Sequence, residues 1–224
     1  MSFESKPLRK AMLSRRLFLT ALAGAPLAAC NTTYASLPAD HDLAGWYVGQ
    51  IDDHPFPIPL VDRSRMKPEH RRQSVSYNGP ERPGTIVVDI DQRFLYLVQG
   101  NGTALRYAVG VGRQGFSWKG VAYVGRKGVW PNWSPTTTMV KLKPDLPRHR
   151  SPGLDNPLGA RALYLYQGNR DILFRIHGTN EPWSIGDQVS SGCIRMLNED
   201  VADLYNRVDV GTTVLVRRNG RYRV

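Results

Sequence analysis

From Gly84 onward, apolar and polar positions alternate in short runs broken by glycine. Thr85-Ile-Val-Val-Asp-Ile90 reads as a strand, and Arg93-Phe-Leu-Tyr-Leu-Val98 as its hairpin partner. Gly100-Asn-Gly102 is the next turn, leading into Ala104-Leu-Arg-Tyr-Ala-Val109. A further apolar run, Asp171-Ile-Leu-Phe-Arg-Ile176, ends at His177, and Thr212-Thr-Val-Leu-Val-Arg217 reads as a closing strand. Only one stretch has clear helical spacing: Val201, Leu204, Tyr205 and Val208, with Asn198 as its N-cap and Glu199 and Asp200 at the positive end of the helix. The pattern predicts a mainly β domain over residues 84–217, a sandwich or sheet with one or two short helices, followed by a tail, 218–224. Gly110-Val-Gly112 and Gly125-Arg-Lys-Gly128 read as turns, because neither has the full dinucleotide or P-loop glycine pattern opening a helix.

Upstream the pattern changes. Residues 31–83 are polar and proline-rich, a spacer that becomes an ordered extension, with Trp46-Tyr47-Val48 and Ser74-Val-Ser-Tyr77 apolar enough to be pinned onto the main domain. Residues 1–30 read as an export signal: Ser14-Arg-Arg-Leu-Phe-Leu19 has the twin-arginine form, and the apolar run from Leu17 to Ala29 is short of the ~20 residues that span a bilayer. Leu27-Ala-Ala-Cys30 resembles a bacterial lipobox, which makes Cys30 a lipidation candidate; cleavage after Ala35, at Thr33-Tyr-Ala35, is the alternative. The expected location is the periplasm or cell envelope, with a lipid anchor in the membrane.

The net charge of +11 raises the question of an anionic partner. The basic residues are spread out, and short clusters such as Arg148-His-Arg150 and Arg217-Arg218 are not interleaved with aromatic residues. No helix-turn-helix or zinc-finger spacing occurs, so nucleic acid is not expected as a partner. Cell-wall peptides with their carboxylates, or the membrane surface, suit an exported basic protein better. With Cys30 in the leader, Cys193 has no disulfide partner, and an unpaired thiol in an exported protein points to reactivity.

The chemistry concentrates between Arg175 and Met196. Cys193 follows Gly192 among small residues, so the backbone can turn sharply and leave the sulfur uncovered. His177 ends a strand, and the loop after it carries the turn-formers Pro182 and Gly186, which allow the cysteine to return beside the imidazole. A thiol of ordinary pKa ~8.5 is a few per cent thiolate at neutral pH, and a neighbouring imidazolium raises that fraction. The Gly192 and Cys193 backbone N–H groups can serve as an oxyanion hole. One thiolate and one imidazole fall short of the ligands zinc takes, so no metal is expected.

His-Gly-Thr-Asn followed by Ser-x-Gly-Cys-Ile-Arg-Met resembles the L,D-transpeptidase family with its YkuD-like catalytic domain. The resemblance implies that Cys193 is the nucleophile, His177 the base, Gly178 the residue whose carbonyl orients the imidazole, and Arg195 a basic residue beside the donor-stem pocket. Ser191 stands where the family usually has a histidine; it can hydrogen-bond but carries no proton charge. Trp130-Pro-Asn-Trp-Ser-Pro-Thr136 and Asn156-Pro-Leu-Gly-Ala-Arg-Ala-Leu163 resemble segments bordering the family's substrate groove, and Asn156 and Trp183 are candidates for substrate contact. The implied reaction is attack of Cys193 on a peptidoglycan tetrapeptide stem, release of the terminal D-alanine, and transfer of the acyl group to an amine. The acceptor can be another stem, a lysine of a wall-anchored protein, or water, the last giving a carboxypeptidase. A non-catalytic wall-binding lipoprotein is the rival of a different class. No cofactor is implied.

Overall fold

A computed structural model describes residues 45–112, 118–190 and 192–218. The leader with Cys30, the alternative cleavage site, Ser191 and residues 219–224 lie outside the described residues. The extension opens with a hairpin of β1 (Tyr47–Ile51) and β2 (Ile58–Val61), and then supplies β3 (Gln73–Ser76). The alternating runs after Gly84 give β4 (Ile86–Asp89), β5 (Phe94–Val98) and β6 (Thr103–Ala108), an antiparallel meander that β3 extends at its edge. Next come β7 (Gly110–Gly112), the long β8 (Gly120–Val129) and the short helix α1 (Thr137–Leu142). The chain then forms β9 (Arg161–Gln167), β10 (Arg170–His177), β11 (Gln188–Ser190) and β12 (Ile194–Arg195). Helix α2 (Asn198–Arg207) and the closing strand β13 (Thr213–Arg217) complete it. The fold is mainly β, with two α-helices among the described residues.

Eleven strands form one sheet in the order β11-β7-β12-β10-β9-β8-β13-β4-β5-β6-β3. Strand β13 lies between β8 and β4, parallel to β4, and so joins the meander to the half that carries β9, β10 and β12. Val124, Leu163, Leu165, Ile176, Ile194 and Val214 point to one side of that half and are buried; α2 covers them with Val201 and Leu204. Each such side chain removed from water contributes about 1.5–3 kcal/mol. Because neighbours along a strand face opposite ways, the residues between them are turned to the other side, where the cavity lies.

Two expectations from the sequence need correction. Both glycine pairs lie inside strands, in β7 and β8, where they permit close approach instead of turning the chain. A Cβ on Gly110 would sit 2.6 Å from the Ser184 carbonyl oxygen, and one on Gly125 2.2 Å from the Tyr166 ring. Asn198 is not the N-cap of α2. Leu197 holds that position without a side-chain hydrogen bond, and the Asn198 amide is used across the site. The acidic first turn of α2 is buried against the extension: Glu199 accepts from the Val61 N–H at 3.2 Å, and Arg63 pairs with Asp200 at 2.9 Å.

Candidate active site

Strands β10 and β12 run parallel, with Ile176 opposite Ile194 and His177 opposite Arg195. Both isoleucines enter the core. Their neighbours, Arg175 and His177 on β10 and Cys193 and Arg195 at β12, therefore face the other way, and all four line one cavity of about 280 Å³. Trp133, Pro157 and Leu158 from the preceding loops also line it, together with Tyr164 of β9 and Arg126 of β8.

His177 is buried, and its Nδ1 donates to the Gly178 carbonyl at 2.6 Å. A carbonyl only accepts, so this bond keeps the proton on Nδ1 in the neutral ring and leaves Nε2 as the acceptor. Burial is the largest influence on the imidazole, and the Arg195 and Arg175 charges add to it; the Gly178 and Pro157 carbonyls oppose them, and the pKa is pushed down to about 3. Asn198 holds this corner in place. Its Oδ1 accepts from the Ala160 and Thr179 N–H groups at 3.0 and 3.2 Å, and its Nδ2 donates to the Thr179 carbonyl at 2.8 Å. Gly178 fits under that amide only because it lacks a side chain, since a Cβ there would lie 2.2 Å from Oδ1.

Cys193 is a free thiol of intermediate exposure, following Gly192 at φ 128°, a backbone conformation that favours glycine. Burial pushes the thiol pKa up. The Arg175 backbone amide and the Arg175 and Arg195 charges pull the other way but do not prevail. The sulfur is therefore less open than the small-residue setting suggests. Both shifts run the same way, toward a neutral imidazole and a protonated thiol.

The other candidates separate. Arg195 lines the cavity, with Nη1 bonded to Glu181. Asn156 is fully buried, and its amide is consumed by backbone: Nδ2 donates to the Pro131 and Ser151 carbonyls at 3.0 and 2.9 Å, and Oδ1 accepts from the Leu158 N–H at 2.9 Å. It shapes the wall formed by Pro157 and Leu158 and is not exposed for substrate. Trp183 is not among the residues lining the cavity; its ring lies 6.2 Å from that of Trp46 in the extension. Of the tryptophans in the 130–136 segment, Trp133 lines the cavity, whereas Trp130 is buried and donates Nε1 to Asp53 at 2.7 Å. Asn198 as a clamp, and Arg126, Tyr164 and Leu173 as cavity residues, were not legible in the motif.

Residues 83–216 match the family model described as the L,D-transpeptidase catalytic domain, YkuD. A probable L,D-transpeptidase of Escherichia coli K12, YbiS, is 35% identical over 139 residues, which cover 58% of this chain and 43% of that protein. Another from the same organism, YcfS, is 34% identical over 177 residues, covering 75% of this chain and 54% of that protein. The chain thus spans about half the length of these relatives. A solved structure from Brucella melitensis, described as a probable carnitine operon oxidoreductase, is 47% identical; the match covers 67% of this chain and 96% of that one, with a TM-score of 0.47. With a family domain that takes up more than half of its length and frames the Cys193 and His177 cavity, this chain belongs to the YkuD family of L,D-transpeptidase catalytic domains.

Proposed function

We propose that the protein is a peptidoglycan L,D-transpeptidase that works through a Cys193 thioester. The observation that carries this reading is a free thiol and a neutral, carbonyl-oriented imidazole lining one cavity within a transpeptidase-family domain. Sγ attacks the carbonyl of the third residue of a tetrapeptide stem as its proton passes to Nε2 of His177. The Gly192 and Cys193 N–H groups hold the oxyanion. Collapse breaks the C–N bond, and His177 returns the proton to the departing D-alanine amine. An imidazolium destabilised by burial and by two guanidinium groups gives up that proton readily. The acceptor amine then attacks the thioester and loses a proton to His177, and the thiol is regenerated. Starting from an uncharged pair avoids burying a standing ion pair and creates charge only as the oxyanion forms.

The leader reading places this chemistry outside the cytoplasm, with the chain anchored through lipid on Cys30. The test of the reaction is release of D-alanine from a purified tetrapeptide stem, with intact-mass detection of the acyl-enzyme. Wild type should release D-alanine and carry one stem acyl group, and Cys193→Ala should do neither. Release that is unchanged in Cys193→Ala would sink the reading. Running the assay with and without an added amine separates transfer from hydrolysis.

A further inference from the structure

We propose that Arg126 is a carboxylate-binding residue for the acyl donor, reading an anionic group on the part of the peptide that stays bound to Cys193. This rests on the transpeptidase reading above. Strand register sets the position of Arg126. Tyr123 pairs with Tyr166 and Val124 with Leu165, but it is Arg126 that pairs with Tyr164, so Gly125 is an extra residue in β8. Counting by twos from buried Val124 would send Arg126 into the core. The bulge at Gly125 turns it to the opposite face and sends Lys127 to the core side instead, where Nζ donates to the Val208 carbonyl at 2.7 Å and lies 4.1 Å from the centre of the Tyr205 ring.

On the cavity face a row of side chains crosses four strands. Arg126 is opposite Tyr164, Tyr164 is opposite Arg175, and Cys193 immediately precedes the residue that pairs next to Arg175. The Arg126 guanidinium lies 3.4 Å from the centre of the Tyr164 ring, and Arg175 lies 4.5 Å from the same ring. The two differ in one respect. Arg175 is held bidentately by Asp171 at 2.7 and 2.9 Å, and cavity-lining Arg195 is held by Glu181, whereas Arg126 forms no ion pair with any described residue. It is an exposed cation, kept in place by stacking, with its donors available to a ligand.

Distance determines which ligand. Strands lie about 4.8 Å apart, so a guanidinium leaning over Tyr164 is about two spacings, ~10 Å, from the Cys193 column. One peptide residue spans about 3.5 Å. The carboxylate of a single leaving residue covers that span only at full stretch, whereas one farther along the peptide or on a long side chain covers it with room to spare. The proposed anion therefore sits on the acyl side, on an upstream residue or at the end of a long side chain, and it remains bound after the leaving group departs.

The experiment compares D-alanine release by full-length wild type, Arg126→Gln and Arg126→Lys. Each is given a tetrapeptide stem with free upstream and side-chain carboxylates, and the same stem with those groups amidated but its terminal carboxylate free. Amidation should lower kcat/KM of wild type roughly 10- to 100-fold, mainly through KM, the size expected for a charge-assisted hydrogen bond. Arg126→Gln should lose about as much on the free stem and little more on the amidated one, because the two changes remove one interaction. Arg126→Lys should fall between. Equal rates for free and amidated stems with wild type, or losses that multiply in Arg126→Gln, overturn the proposal while the transpeptidase reading stands. If wild type releases no D-alanine from the free stem, the reading itself fails and the proposal fails with it.

Discussion

Replacing Asn198 with alanine tests how the His177 imidazole is held. The side chain sits between two backbone segments, accepting from Ala160 and Thr179 and donating to Thr179, and it is buried. Truncation removes three hydrogen bonds at ~1 kcal/mol each, or about 3 kcal/mol in all, and leaves two N–H groups and a carbonyl without a protein partner. For a chain of this size, each kcal/mol moves Tm by about 2–4 °C, so a fall of roughly 6–12 °C is expected. That is within the usual stability of about 5–15 kcal/mol, so the variant remains folded at 25 °C, where its activity can be read. The Thr179 peptide follows directly on the Gly178 carbonyl that orients His177. Misplacing that carbonyl by about 1 Å should cost up to ~100-fold in kcat, beyond any loss of folded protein. A double-mutant cycle isolates the contact. Gly178→Ala alone drives a Cβ to 2.2 Å from Asn198 Oδ1, whereas the next atoms it meets, Ala160 N and Gly159 Cα, lie at 3.1 and 3.2 Å. The second substitution should therefore cost at least about 1 kcal/mol less in the double variant. Urea denaturation of the four proteins supplies the numbers. A loss below 1 kcal/mol in Asn198→Ala, or strict additivity in the cycle, would refute the clamp.

Three further outcomes follow from individual groups. His177 titrates at about 3 in the folded protein and near 6.5 when unfolded, so between those values the unfolded chain holds a proton that the folded one lacks; stability present above pH ~6.5 should be lost as pH falls, approaching about 1.4 kcal/mol per pH unit. Urea midpoints from pH 7 to 4 should fall less steeply in His177→Gln than in wild type, and parallel curves would contradict the buried neutral imidazole. Leu173 is 63% exposed with φ 58°, so Leu173→Gly relieves roughly 1–2 kcal/mol of left-handed strain against ~0.5–1 kcal/mol of added chain entropy, and should leave stability equal or slightly raised; a measured loss above 1 kcal/mol would count against this. Tyr107→Phe removes a 2.6 Å hydrogen bond to the Asp203 carboxylate from an otherwise buried ring and should cost roughly 1.5–3 kcal/mol in thermal or urea unfolding, a neutral result meaning that the bond adds nothing net.

The parts legible in the sequence are those fixed by local pattern. Ile86–Asp89, Phe94–Val98 and Thr213–Arg217 are strands because their apolar residues fill a buried face whatever lies elsewhere. Cys193 and His177 stand out through chemistry and spacing, and the parallel register of β10 and β12 brings them to one face. Properties that depend on the far side of a contact are not legible in this way. A buried, satisfied asparagine is written with the same letter as a surface one, so Asn156 reads as a substrate contact and Asn198 as a cap, although both spend their amides on backbone. The downward shift of the imidazole depends first on burial, with the Arg175 and Arg195 charges adding to it, and burial is set by the packing of distant strands and loops. Arg126 is the sharpest case. Its place in the cavity is decided by one unpaired glycine in β8, since moving a strand by one residue turns every later side chain to the other face. Gly125 must be glycine because Tyr166 already fills the space of a Cβ. Closing the bulge would return Arg126 to the core face and Lys127 to the cavity, replacing a planar, stacked guanidinium with a flexible ammonium. The charge available to a donor carboxylate is therefore a consequence of strand register as much as of residue type.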